Sequence, residues 1–235
     1  MTRIVEQTRA DLKAAADEKT KAGSRRFFKE EIRLYGVKSA QVTKISKSHF
    51  ARVKDLGKDD IFALCEELYK SGYLEEAGIA ANWSYRINDR YEPGDFAVFE
   101  RWVEQYIDNW AKCDTLCNHT VGTFIERFPD HLERLKTWTR SKNRWVKRAA
   151  AVSLIVPAKK GEFLADIFEI ADSLLLDGDD MVQKGYGWLL KEASRQHQAE
   201  VFDYVLRNKA VMPRTSLRYA IEKMPQEMRK KAMER

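Results

Sequence analysis

Three groups of side chains have the types and spacing to do chemistry. Trp110 and Asp114 are four residues apart, so a helix would project an indole and a carboxylate from one face. Arg144, Lys147 and Arg148 fall at i, i+3 and i+4 in a segment that also carries Trp145. Lys184, Trp188, Lys191 and Arg195 share one side of the segment 179–195, opposite an apolar stripe of Val182, Tyr186, Leu189 and Ala193. A tryptophan centred among cations suits a stacking platform beside phosphate-binding groups. The competing reading is a helix covered on both faces by its neighbours. Asp114 has an ordinary alternative as the cap of a helix starting at Thr115, with Trp110 in the core. The Arg144 group has one as a solvated face, although no acidic residue within 141–160 neutralises it.

Other chemistry is thin. The four histidines (His49, His119, His131, His197) are scattered, and Cys113, Cys117 and His119 make no metal-binding spacing. No glycine-rich dinucleotide fingerprint or phosphate loop is present. Neither a metal nor a cofactor is expected. Gly185 and Gly187 would allow close approach of a backbone, from a neighbouring helix or from DNA.

The elements that must position these groups read as helical almost throughout. The chain has 235 residues with 44% hydrophobic and 33% charged, and only 11 glycines and 5 prolines, which disfavours strands and turns. Three cysteines are too few for a disulfide framework. No apolar run approaches the roughly 20 residues of a membrane span. The N-terminus reads as a charged amphipathic helix without a signal-peptide core. These features exclude a membrane protein, a disulfide-rich secreted domain and a zinc ribbon, and leave a cytoplasmic all-α protein. Periodicity predicts helices over 3–19, 23–35, 39–54, 59–71, 74–89, 94–109, 112–127, 130–140, 143–156, 161–175, 179–195, 198–208 and 214–233, the last broken near Pro225. No proline- or serine-rich linker divides them, so residues 1–235 read as one domain.

Charge is layered. The net charge is +6, but residues 131–160 alone carry nine Lys and Arg against one acid, and 204–235 carry nine against three. Acidic blocks, 61–130 and 161–203, flank the first of these. Such polarity suits basic ridges for a polyanion. The helix starts at Asn109-Trp110, Arg144-Trp145 and Met181-Val182 are spaced by 35 and 37 residues. That period resembles HEAT-type arrays, so the expected fold is an all-α, HEAT-like solenoid of stacked antiparallel helix pairs with a concave DNA-binding cleft.

Four local patterns carry a closer resemblance: Phe27-Phe28-Lys29 with Leu34-Tyr35-Gly36-Val37; Trp110-x-x-x-Asp114; Trp145-x-x-Arg148-Ala149-Ala150; and Gln183-Lys184-x-x-Gly187-Trp188-Leu189-Leu190-Lys191-Glu192. Their order and spacing from about residue 20 to 210 resemble the AlkD-type DNA alkylation-repair glycosylases, which are HEAT-like and all-helical. The resemblance implies excision of N3- and N7-alkylated purines from duplex DNA, and the protein is expected to be a monomer. It implies Trp110 and Trp188 beside the lesion nucleotide, Asp114 as the catalytic carboxylate and Arg148 on the DNA backbone. Phe27, Ser39, Lys44, Arg144, Lys147, Lys184 and Lys191 complete the expected DNA contacts. Two departures stand out. Family members often carry Arg where this chain has Lys191, and Tyr where it has Phe27. Lysine keeps the charge without the bidentate fork, and phenylalanine keeps the stacking face without the hydroxyl. The alternatives are a HEAT-like protein that binds unusually shaped DNA without excision, and a scaffold for an acidic protein.

Overall fold

The computed structural model describes residues 2–234. The chain groups into two compact units, residues 1–116 and 117–235. The first holds α1 (Thr2–Ala14), α2 (Glu18–Arg25), α3 (Ser39–Phe50), α4 (Lys58–Lys70), α5 (Leu74–Arg86), α6 (Phe96–Tyr106) and α7 (Trp110–Leu116). The second opens on a π-helical turn, Cys117–Val121. It continues with α8 (Gly122–Arg127), α9 (Leu132–Thr137), α10 (Arg144–Val152), α11 (Ile155–Lys160), α12 (Leu164–Leu174), α13 (Asp180–Ala193), α14 (Gln198–Asn208), α15 (Arg214–Ala220) and α16 (Gln226–Met233). Among the described residues the only strand-like pairing is an isolated bridge between Arg33 and Tyr73, so the all-α expectation holds.

Both units are layered in the manner of a helical repeat. In the first, α3 packs on α5 and α5 on α7, while α1 packs on α4 and α4 on α6. In the second, α10 packs on α13 and α13 on α15, while α9 packs on α12 and α14 on α16. Alternate helices therefore form rows. One row per unit carries nearly all the candidate residues: α3 and α7 in the first, α10 and α13 in the second.

Aromatic packing fills the first unit. Phe62 meets Phe99 and Trp102 edge-on at 5.6 and 5.5 Å, a geometry that the ring quadrupoles favour. In the second unit the apolar stripe of α13 behaves as its period predicts, and Val182, Tyr186, Leu189 and Ala193 are all fully buried. Gly187 settles the question of close approach there. A Cβ on it would lie 2.8 Å from Ser216 O and from Tyr219 Cβ, so the glycine admits α15, not DNA.

Four predicted helices need correction, the first being 3–19, which ends at Ala14 before α2 begins at Glu18 with Asp17 as its cap. The segment 23–35 is helical only to Arg25. Beyond it the amides of Tyr35, Gly36 and Val37 donate to the buried Glu75 carboxylate at 3.0, 2.8 and 3.1 Å, and Gly36 takes φ +88°, a conformation no helix contains. The segment 143–156 divides after Val152. Pro157, in the next helix, has no N–H to continue an unbroken ladder back to Ser153. The helix expected over 112–127 starts earlier, at Trp110, and passes through the π turn.

Candidate nucleic-acid interface

In the first unit, α7 presents Trp110 and Asp114. Asn109 starts this helix: its side-chain oxygen accepts the Lys112 amide at 3.0 Å, the hydrogen bond of an N-cap. The early start puts Asp114 inside the helix, so its reading as a cap for Thr115 is excluded. Lys112 secures the first turn, donating its Nζ to Gly72 O and Asp108 Oδ2, both at 2.9 Å. Trp110 and Asp114 are both half-buried and one helical turn apart.

The Trp110 indole is fixed by the irregular segment after α2. Its ring stacks on Phe28 at 5.2 Å between centroids and 15° between planes. Its Nε1–H donates to Phe27 O at 3.3 Å. Phe27 itself is 76% exposed, so its backbone holds the indole while its ring faces solvent. The segment is in turn held from below. Glu75 accepts the three amides described above, Tyr35 stacks on Tyr73 at 4.1 Å, and Tyr35 Oη donates to Glu76 Oε1 at 2.6 Å. Burial first, and the Glu76 carboxylate second, push the Tyr35 hydroxyl pKa far up, so it stays a donor. Ser39 and Lys44 are exposed on α3. Lys44 lines a groove of about 1030 Å³ together with Asp11, Asp17 and Lys38.

In the second unit, Trp188 is half-buried on α13. Its Nε1–H donates to Glu192 Oε1 at 3.2 Å, and the other oxygen of that buried carboxylate accepts Arg195 Nε at 2.5 Å. A charged acceptor one turn away thus sets the indole's rotation. The cations nominated from sequence are also engaged. Arg144 lies 4.5 Å over the Trp145 ring and pairs with Asp179 at 3.3 Å. Lys147 pairs closely with Asp177, and Lys184 pairs with Asp180 at 3.1 Å. Lys191 pairs with Glu222 at 3.2 Å. Arg148 is only 5% exposed, and its Nη1 donates to Met181 O at 2.6 Å. Gly185 leaves space for it: a Cβ there would lie 3.3 Å from Arg148 Cγ.

The face of α10 is therefore neither a bare basic ridge nor a freely solvated one. Its counter-ions come from the turn Asp177-Gly178-Asp179, more than 25 residues downstream of the cluster. Asp179 is also the N-cap of α13, accepting the amides of Met181 and Val182 at 2.8 and 3.2 Å. Its pairing with α10 had no sequence signal, because it depends on how two helices of one row meet. Sequence reasoning also left Phe28, Glu192 and Glu222 without roles. The first two stood inside quoted patterns. Among the described residues no group of His, Cys, Asp and Glu is arranged to hold a metal ion, and no helix is long and apolar enough to cross a membrane.

A family model described as "DNA alkylation repair enzyme" matches residues 8–224. No curated protein matches the chain. The fold is similar to that of a solved structure titled "Predicted DNA alkylation repair enzyme from Enterococcus faecalis", with a TM-score of 0.80 and 16% identity over 90% of this chain and 97% of that one.

Proposed function

The chain belongs to the DNA alkylation repair enzyme family, and on that premise we propose that it is a monofunctional DNA glycosylase, a cytoplasmic monomer that excises cationic N3- and N7-alkylated purines from duplex DNA. Alkylation at N3 or N7 leaves the base positively charged. When the bond from C1′ to the base nitrogen breaks, its electron pair stays with the base, which departs neutral. No general acid is then needed. The sugar acquires oxocarbenium character, water adds at C1′ and loses a proton, and an abasic site remains.

Such a reaction asks for a fixed anion beside the sugar and a positioned water. Asp114 supplies the anion, because a preorganised carboxylate in a poorly hydrated site stabilises developing cation strongly, by ~3–4 kcal/mol if it matches single donors in oxyanion holes. It also orients the water and takes its proton. Trp110 and Trp188 offer electron-rich rings to the cationic nucleotide, ~0.5–2 kcal/mol each. Arg144, Lys147, Arg148, Lys184 and Lys191 contribute positive potential at the DNA backbone, each tempered by its internal partner, and Phe27, Ser39 and Lys44 contact the DNA from the first unit. No deep base pocket enters the mechanism.

The observation that carries this reading is the immobilised Trp110 one turn from Asp114, inside a helix where the carboxylate has no capping duty. The test is incubation of duplex containing 7-methylguanine, followed by alkali to reveal abasic sites. The wild-type protein releases the base above the spontaneous rate. Asp114→Asn loses excision and keeps DNA binding. Binding by the wild type without excision would instead identify a damage-binding protein.

A further inference from the structure

The cations nominated for phosphate contact on α10 and α13 each have an internal partner, which directs attention to basic groups in the second unit that have none. They gather at α15, the next helix of the same row, and at α16 of the other row. A groove of about 400 Å³ between α15 and α16 is lined by Arg218, Arg229 and Lys230 around Glu222, over the apolar side chains of Ile221 and Met233. Among the described residues that line it, Glu222 is the one carboxylate. Its Oε2 accepts Lys191 Nζ at 3.2 Å, and its Oε1 lies 3.7 Å from Lys223 Nζ. Five cations thus surround one acid. Among the described residues, Arg218, Arg229 and Lys230 have no ion-pair partner, and all three are exposed. Lys191 lies on α13 three residues beyond Trp188, so the groove is continuous with the candidate interface.

We propose that this groove is a second phosphate-binding track, in which Arg218, Arg229 and Lys230 hold the DNA backbone beyond Lys191 and Glu222 stands where a phosphodiester would sit. The assignment rests on DNA being the substrate, but not on the excision chemistry. Two arginine forks and a lysine suit phosphate oxygens. A lone carboxylate ringed by cations marks the position of an anion, and it is displaced when a phosphate arrives because its side chain is half-exposed and its ion pairs are weak. Glu222 is then an internal competitor that lowers affinity for DNA in general. Lys191, released from it, joins the track.

The test is titration of unmodified fluorescent duplex with the full-length protein across a range of NaCl concentrations. It compares wild type, the triple variant Arg218→Gln/Arg229→Gln/Lys230→Gln, and Glu222→Gln. All four positions are exposed, so thermal unfolding of the variants should match wild type and confirm intact folds. The triple variant is expected to bind more weakly, and its plot of log K against log salt to flatten by about 0.9 for each phosphate it no longer neutralises. Glu222→Gln is expected to bind at least about twofold more tightly, the range of an exposed ion pair. An unchanged slope in the triple variant, as an anionic protein partner at this groove would give, overturns the proposal, and so does weaker binding by Glu222→Gln. A wild-type protein that binds no duplex would instead remove the DNA reading itself.

Discussion

The two indoles nominated as nucleotide contacts are held in opposite ways. Trp110, in the first unit, is held by neutral partners: a phenyl ring against its face and a backbone carbonyl on its N–H. Trp188, in the second, is held by a buried carboxylate that also binds an arginine. The first arrangement leaves the formal charge on α7 to Asp114 and Lys112, with Lys112 turned into its own bonds with Gly72 and Asp108. The second surrounds its indole with charge that is internally balanced. The two platforms therefore differ in chemistry: α7 combines a neutral platform with the carboxylate proposed for catalysis, whereas α13 combines an anion-braced platform with cations.

That contrast can be broken in steps. The largest effect is expected at Asp114. Asp114→Asn should lower single-turnover excision of 7-methylguanine by about 10²–10³-fold, the magnitude of losing one preorganised electrostatic group, with duplex affinity nearly intact. A comparable loss of affinity would show that the carboxylate serves structure.

Next is Glu192. Glu192→Leu removes a charged hydrogen bond worth ~1.5–3 kcal/mol and should lower excision by roughly tenfold or more, while Glu192→Gln, which keeps an acceptor for the indole, should recover much of it. Equal defects in the two variants would mean that the charge, not the orientation of Trp188, matters. Smaller still is Phe28→Leu. It removes an aromatic stack worth ~0.5–1.5 kcal/mol and should weaken excision by about three- to tenfold. If it costs more than Glu192→Leu, the ranking of the two platforms is wrong.

The smallest effect concerns pH and stability. The Tyr186 hydroxyl, buried on α13, is hydrogen-bonded with Ser216 Oγ at 2.6 Å and with Leu175 O at 3.0 Å. Burial first, then the Asp177 charge, push its pKa up to about 12 from 10, against the opposing effect of Ser216. The unfolded chain therefore releases this proton at lower pH than the folded one. Its contribution to stability is complete below pH 10 and is lost as pH rises from 10 through about 12. Chemical denaturation across that window should show the decline, and Tyr186→Phe should flatten it.

The sequence was most informative where one helix suffices. The stripe of α13, the cap at Asp179 and the placing of Trp110 and Asp114 one turn apart all follow from local spacing, and the all-α class follows from composition and period. It was least informative where two segments meet. Glu75 reads as one more charge near the start of a helix, yet it collects three backbone amides from 38–40 residues upstream and turns a predicted helix into an irregular strap under Trp110. Asp177 and Asp179 read as turn residues, yet they neutralise α10. Charge counting along the chain cannot see such pairs, because a basic block and an acidic block distant in sequence cancel only when rows of helices bring them together. The α15–α16 groove was visible only as a basic tail for the same reason. Gly187 is intermediate: its need for a close neighbour was legible, but the identity of that neighbour, α15, was not.

In the proposed mechanism, Asp114 is the anion that stabilises the sugar cation left by a departing purine. The most direct measurement is the single-turnover rate of 7-methylguanine release from duplex DNA by wild type and Asp114→Asn, run beside a duplex containing uracil, a neutral base. Fast release of 7-methylguanine by the wild type is expected, with a drop of about 10²–10³-fold in the variant and no release of uracil by either. Equal rates for wild type and variant, or comparable excision of the neutral base, would contradict that role.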